Sequence, residues 1–287
     1  MDIMGKRKIW YTISLTIIII GLAFLLFNGL NFGIDFTGGT ILEFRFDSQV
    51  QNEDIRKSLE KINLAEDAQI QQTEKGDMPG AIIKTKELNS EEILEVQNTI
   101  KSDYSSAEML RSDMVGPLIG KELRRNAIFA IIIASLAIVA YISIRFEFRF
   151  AIVAIITLLH DVVIVLGIFA ILQKEINTAF VAALLTIIGY SINDTIVIFD
   201  RIRENLKLMR RETFEAKANT AVVDTLPRSI NTSLTTLITI LAIYFFGGAS
   251  LKIFMLALFI GMFAGTYSSI FVASPLLVTW TKKITNK

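Results

Sequence analysis

Six apolar runs, each about long enough to cross a bilayer, constrain what this chain of 287 residues can become. A helix crosses roughly 30 Å of hydrocarbon with about 20 residues at 1.5 Å each. The runs cover residues 9–27, 127–144, 151–172, 179–199, 230–246 and 253–280. The last is long, which predicts a tilted helix or one broken at Pro275. A mean hydropathy of +0.52 and only 20% charged residues fit membrane burial and not a soluble domain of this length. The first run follows "MDIMGKRK", a basic flank like that of a signal peptide. Its length exceeds the usual apolar region of about 7–15 residues and no small-x-small cleavage site follows, so a retained span is expected.

Sidedness follows from Lys and Arg in the short loops. Lys6, Arg7 and Lys8, then Arg145 and Arg149, the stretch 200–229 with seven basic residues and the tail "TKKITNK" share one side. The opposite short loops, "QKEINT" and "GGASLK", hold only Lys174 and Lys252. Both termini are thus expected in the cytoplasm, in a multi-pass cytoplasmic (inner) membrane protein. Residues 1–28 form the N-terminus and first span, 29–126 an extracytoplasmic domain, and 127–287 the remaining five spans with a cytoplasmic loop at 200–229. The near-neutral net charge of +1 averages unlike regions and implies no nucleic-acid partner. The absence of cysteine excludes disulfides and thiolate chemistry. No cofactor and no metal are expected.

The domain at 29–126 alternates strand and helix signals. "TILEFRF" has period two. "NEDIRKSLEKIN" places Ile55, Leu59 and Ile62 on one helical face. "AQIQQTE" and "GAIIKTK" flank a "KGDMPG" turn and predict a hairpin. "NSEEILEVQNTIKS" predicts a helix with Ser90 as N-cap, and "AEMLRSDMV" a last strand. This β-α-β-β-α-β order is the ferredoxin-like arrangement. The fold class is therefore an α-helical polytopic membrane protein with six transmembrane helices and an α+β ferredoxin-like extracytoplasmic domain between helices 1 and 2.

Within the spans only His160, Asp161 and Asp194 carry side chains that ionise near neutral pH. A charged Asp at the bilayer centre costs about 2.5–3.5 kcal/mol on insertion scales, so such a residue should face the protein interior or a wet cavity. Asp194 lies six residues before Asp200, roughly 9 Å in from the basic edge. Tyr190, Ser191, Asn193 and Thr195 surround it in sequence. Arg228, in "DTLPRSINTSLTTLITI", falls at a similar depth on the next span, after Pro227 and before the polar stripe Asn231, Ser233, Thr235 and Thr236. In low dielectric, burial favours the neutral acid and a guanidinium favours the carboxylate, so small movements decide where a proton stays. Two readings of the pair stand at this point: proton handling, or an ion pair that fixes helix packing. His160 and Asp161 point about 100° apart on one helix, which leaves a polar path or interhelical hydrogen bonding.

"NFGIDFTGGT" contributes Gly33, Asp35, Thr37, Gly38 and Gly39. Its glycines suit tight turns and its Asp and Thr bond local backbone, so it predicts a structural turn into the first strand. No Lys-Ser/Thr follows the glycines, so it is no Walker loop. Gly261 and Gly265 allow close packing within the subunit or against a second helix. "DRIRENLKLMRRETFEAK" predicts a basic helix along the inner surface.

"GIDFTGGT", "LLHDVVIVLG", "GYSINDTIVIFDRIREN" and "LPRSINTSLTTL", with the order of spans, together resemble the SecD/SecF family of protein-export membrane subunits, on its SecF side. The resemblance covers nearly the whole chain. It implies membership of the wider superfamily of proton-driven (RND) exporters. It implies a SecD partner, association with the SecY channel complex and with YidC or YajC, and preprotein as cargo. It also implies that protons move through the aspartate of "NDT" and the arginine of "LPRS", here Asp194 and Arg228, to promote translocation, with no enzymatic step. Three rivals remain. One is a subunit of a small-molecule exporter of the same superfamily, and another is a passive membrane scaffold. The third is an intramembrane aspartyl protease, for which Asp161 and Asp194 are badly staggered.

Overall fold

The computed structural model describes residues 1–75 and 78–285. The backbone divides into two compact units, Phe32–Ala127 and a helical unit made of Met1–Asn31 with Ile128–Lys287. Gly76 and Asp77, at the centre of the expected "KGDMPG" turn, lie outside the described residues.

After helix α1 (Arg7–Phe27), the smaller unit opens with the short helix α2 (Ile34–Thr37) and continues with β1 (Gly39–Arg45), α3 (Asn52–Glu60), β2 (Gln69–Lys75), β3 (Met78–Thr85), α4 (Ser90–Asp103) and β4 (Glu108–Val115). The strands form one antiparallel sheet in the order β2-β3-β1-β4. A register shift between Glu43 and Phe44 marks an irregularity against β4. Alternation along β1 sends Leu42 and Phe44 into a core with Phe46, Ile55, Leu59, Ile83, Val96 and Ile100. The N-cap of α4 is Asn89, not Ser90. The Asn89 side chain accepts from the Glu92 N–H at 2.9 Å, while Glu92 returns a bond to the Asn89 N–H at 2.7 Å, a closed capping box. Both Asn and Ser make good caps, so composition could not choose between the adjacent positions.

The helical unit contains α1 (Arg7–Phe27), α5 (Pro117–Arg145) in its later part, α6 (Phe148–Leu172), α7 (Thr178–Leu208), α8 (Phe214–Phe246), α9 (Ala249–Ser268), a π-helical turn (Ser269–Ala273) and α10 (Ser274–Thr285). Six of these segments are long and apolar enough to cross a membrane, with α9 through α10 counting as one. The chain is a multi-pass membrane protein by this measure.

Two expectations change. No separate surface helix forms from "DRIRENLKLMRRETFEAK", because α7 continues to Leu208 and α8 starts at Phe214 with Thr213 as its cap. Tertiary contacts carry both helices past their apolar runs: Ile202 and Asn205 at the end of α7, and Ala218, Ala221 and Val222 at the start of α8, are buried. Pro227 lies inside α8 without ending it. The last span is interrupted by the π turn, which lies directly ahead of Pro275 in an otherwise continuous helix.

Small residues set the close crossings. A Cβ added at Gly265 would lie 2.8 Å from the Ser191 Cβ, and one at Gly261 would collide with Ile187, so the "GMFAG" glycines serve packing of α9 on α7 inside the chain. The first residues are clamped onto α8. The Asn219 Oδ1 accepts from the N–H groups of Ile3 and Met4 at 2.8 and 3.3 Å, and Arg7 pairs with Glu215 at 2.5 Å.

Candidate functional site

Helix α7 starts at the Asn177 cap, whose side chain accepts from the Phe180 N–H at 3.1 Å. Its inward face carries Ile187, Ile188, Ser191, Asp194, Thr195 and Ile198. Asp194 is therefore turned away from the surface and only 6% exposed. Ser233 of α8 lies against its carboxyl group, and the Arg228 guanidinium acts on it through space. Oδ2 of Asp194 is buried without a hydrogen-bond partner, and no direct ion pair joins Asp194 to Arg228 among the described residues. Arg228 is exposed on α8, in line with the exposed Asn231, Thr232 and Thr235. Tyr190 ties α7 to α8, its hydroxyl donating to the Thr232 carbonyl and to Thr236 Oγ1, both at 3.3 Å. Asn193 points outward and is exposed.

His160 and Asp161 sit near the middle of α6 and both are buried. Their side chains turn toward each other despite their divergent Cβ directions, with His160 Nδ1 2.9 Å from Asp161 Oδ1. Asp161 Oδ2 accepts from Ser191 Oγ at 2.5 Å and from Ser268 Oγ at 2.8 Å, so this carboxyl group joins α6, α7 and α9. The His160 ring stacks near Tyr267, with centroids 6.4 Å apart, and its Nε2 has no partner. Thr195 Oγ1 lies 2.8 Å from Ser269 Oγ, and Ser269 Oγ also reaches the Ser191 carbonyl at 3.4 Å. Asp194 is thus flanked on its own helix by two residues engaged with other helices.

Sequence reasoning missed Ser268 and Ser269. The available signal was "GTYSS", a run of hydroxyl residues inside an apolar span, each of which must find a partner in lipid.

The glycine motif lies in the smaller unit. Gly33 caps α2, and Thr37 Oγ1 donates to the Gly33 carbonyl at 3.1 Å. Gly38 and Gly39 adopt φ of +77° and +132°, conformations that L side chains rarely take. A Cβ at Gly38 would lie 3.0 Å from the Pro117 Cα, and one at Gly39 would lie 2.5 Å from the Thr85 carbonyl oxygen. The motif turns the chain from α2 into β1 against the ends of β3 and α5.

Residues 95–283 match the family model for the protein export membrane protein SecD/SecF, C-terminal, and residues 23–50 match the SecD/SecF GG motif. The protein translocase subunit SecF of Thermobaculum terrenum is 46% identical over 99% of this chain and 95% of its own length. That of Thermodesulfovibrio yellowstonii is 43% identical over 97% and 94%. Among solved structures, the translocon-associated membrane protein SecDF of Thermus thermophilus superposes with a TM-score of 0.91 at 40% identity, over 98% of this chain and 39% of the SecDF chain. With two thirds of its length inside the family model, and with relatives this similar from end to end, the chain belongs to the SecD/SecF family of protein-export membrane proteins.

Proposed function

We propose that the chain acts as the SecF subunit of Sec protein export, a transport subunit and not an enzyme. In this reading it pairs with SecD and uses the proton motive force to promote preprotein movement through the SecY channel. The observation that carries the reading is the state of Asp194. A purely structural ion pair buried in lipid should be closed and fully hydrogen-bonded, because an unpaired buried charge is expensive. Asp194 is buried, has an orphan oxygen and stands near Arg228 without bonding to it. A carboxyl group so placed can gain and lose a proton as the guanidinium approaches or withdraws. Tyr190, Ser191, Thr195, His160 and Asp161 supply the polar surroundings of that exchange, while Asn193, exposed on the outer face of α7, stands apart from them.

The fused relatives named SecDF support the SecD partnership. So does α8, whose exposed Arg228, Asn231, Thr232 and Thr235 need polar cover inside a bilayer. Contacts with YidC or YajC belong to the same reading by resemblance. The ferredoxin-like reading of residues 29–126 is supported by the sheet order β2-β3-β1-β4. Its extracytoplasmic placement, with both termini in the cytoplasm, is supported by the distribution of Lys and Arg. The turn at Gly33, Asp35, Thr37, Gly38 and Gly39 then leads the chain into that domain's first strand. Energetically the scheme is feasible. One proton crossing 100 mV releases about 2.3 kcal/mol, and a full two-state swing needs about 5.5 kcal/mol, so a few protons suffice.

The test is Asp194→Asn and Arg228→Leu in vesicles that also contain SecD and the SecY channel. Both variants should assemble normally and lose the proton-gradient-dependent stimulation of export. Full stimulation in both would leave the passive scaffold as the better account.

A further inference from the structure

The "GTYSS" stretch at 265–269 contacts α7, α8, α1 and α6. Gly265 lets α7 approach at Ser191. Thr266 Oγ1 lies 2.6 Å from Ser233 Oγ of α8. The Tyr267 hydroxyl accepts from Ser14 Oγ and donates to the Trp10 carbonyl of α1, both at 3.2 Å. Ser268 donates to Asp161 of α6, and Ser269 meets Thr195 of α7. The π turn begins at Ser269. Such turns interrupt the regular ladder of a helix and often mark functional sites.

Asp161 is the node of this arrangement. One of its oxygens holds a hydroxyl of α7 and a hydroxyl of α9 together, at 2.5 and 2.8 Å. The tie through Ser191 lies three residues before Asp194 and the tie through Thr195 one residue after it, so the two fix the rotation and depth of α7 at the proton site. Ser233, which lies against Asp194, is itself held by Thr266 on α9. The acid and its α8 neighbour are therefore both referenced to the same short stretch of α9.

We propose that Asp161 is a positioning residue: it locks α7 to α9 and thereby sets the distance of Asp194 from the Ser233–Arg228 face of α8, without itself carrying the transported proton. This rests on the proton reading of Asp194. The titratable groups around the node are His160 on its own helix, Tyr267 on α9, Tyr11 on α1 in the groove that His160 lines, and Asp194 and Arg228 beyond Ser191. Asparagine at 161 keeps an oxygen for the two serines but cannot shuttle a proton as a carboxyl group does. Alanine loses both capacities.

The experiment measures gradient-driven export and its pH profile in vesicles containing the full chain, SecD and SecY, with Asp194→Asn as control. Asp161→Ala should lower the stimulated rate on the order of tenfold or more, as small misplacements of a reacting group do, and should shift the pH midpoint. Asp161→Asn should restore most of the loss. An Asp161→Asn variant as inactive as Asp194→Asn would make Asp161 a proton carrier and overturn the proposal. A native rate and midpoint in Asp161→Ala would overturn it too. If Asp161→Ala does not assemble, Ser268→Ala decides: removing one donor should move the midpoint, and an unmoved midpoint refutes the positioning role. Full stimulation in Asp194→Asn would instead remove the proton reading itself, whatever the 161 variants do.

Discussion

Gly21 of α1 and Gly167 of α6 meet backbone to backbone: a Cβ added at Gly21 would lie 3.1 Å from the Gly167 Cα, and one at Gly167 would lie 2.7 Å from the Gly21 Cα. Without a hydrophobic drive between helices in lipid, such close approach is what dispersion packing requires. Gly21→Ile or Gly167→Ile should force the pair apart at a cost of about 1–3 kcal/mol, as overpacking does. Thermal unfolding in detergent would show it as a lower midpoint. A change of Gly189, whose Cβ would meet nothing within 4 Å, should have much less effect.

The clamp on the first residues rests on one side chain. Asn219 accepts from the N–H groups of Ile3 and Met4 and donates to the Met1 carbonyl at 2.9 Å, while Ile3 and Met4 are fully buried. Asn219→Leu removes the acceptor and leaves buried N–H groups unpaired, at a cost of about 1–3 kcal/mol. Hydrogen exchange at residues 3 and 4 should accelerate strongly, with little change in α6. Unchanged protection there would contradict this account of the clamp.

Acid sensitivity in the smaller unit should centre on Asp103. The Lys61 ammonium at 2.5 Å, then the Ser58 hydroxyl at 2.6 Å, hold the Asp103 carboxyl below its usual range. With the folded value depressed, the stabilisation is fully present above the unfolded value of about 3.9 and is lost as pH falls through the folded value. These bonds join α3 to the end of α4. Exchange protection of both helices in the intact chain should therefore weaken on acidification. Asp103→Asn should flatten that part of the pH dependence, and an unchanged slope would place the sensitivity elsewhere.

The six spans were legible because an apolar run of about 20 residues has one favourable destination, and local spacing implied nothing that depended on distant parts of the chain. The strands were legible for a related reason, since period-two alternation is a local signal. Asp194 stood out because an ionisable group in an apolar run is costly wherever the run goes. Helix ends were not legible: α7 runs on to Leu208 and α8 begins at Phe214 because Ile202, Asn205, Ala218 and Val222 bury surface against other elements.

The partners of the polar groups belong to the tertiary structure alone. Adjacent residues His160 and Asp161 leave their helix about 100° apart, yet side-chain torsions bring Nδ1 to Oδ1. Ser268 is 107 residues from Asp161, and no spacing rule could connect them. Thus the amino-acid order by itself determined which segments enter the membrane and which acid is conspicuous there, because burial of apolar surface and the cost of a charge are properties of each segment. The close crossing at Gly265 and Ser191 decided which hydroxyls meet Asp161 and how Asp194 stands to α8, because hydrogen bonds between helices depend on distances that exist only once the helices have packed.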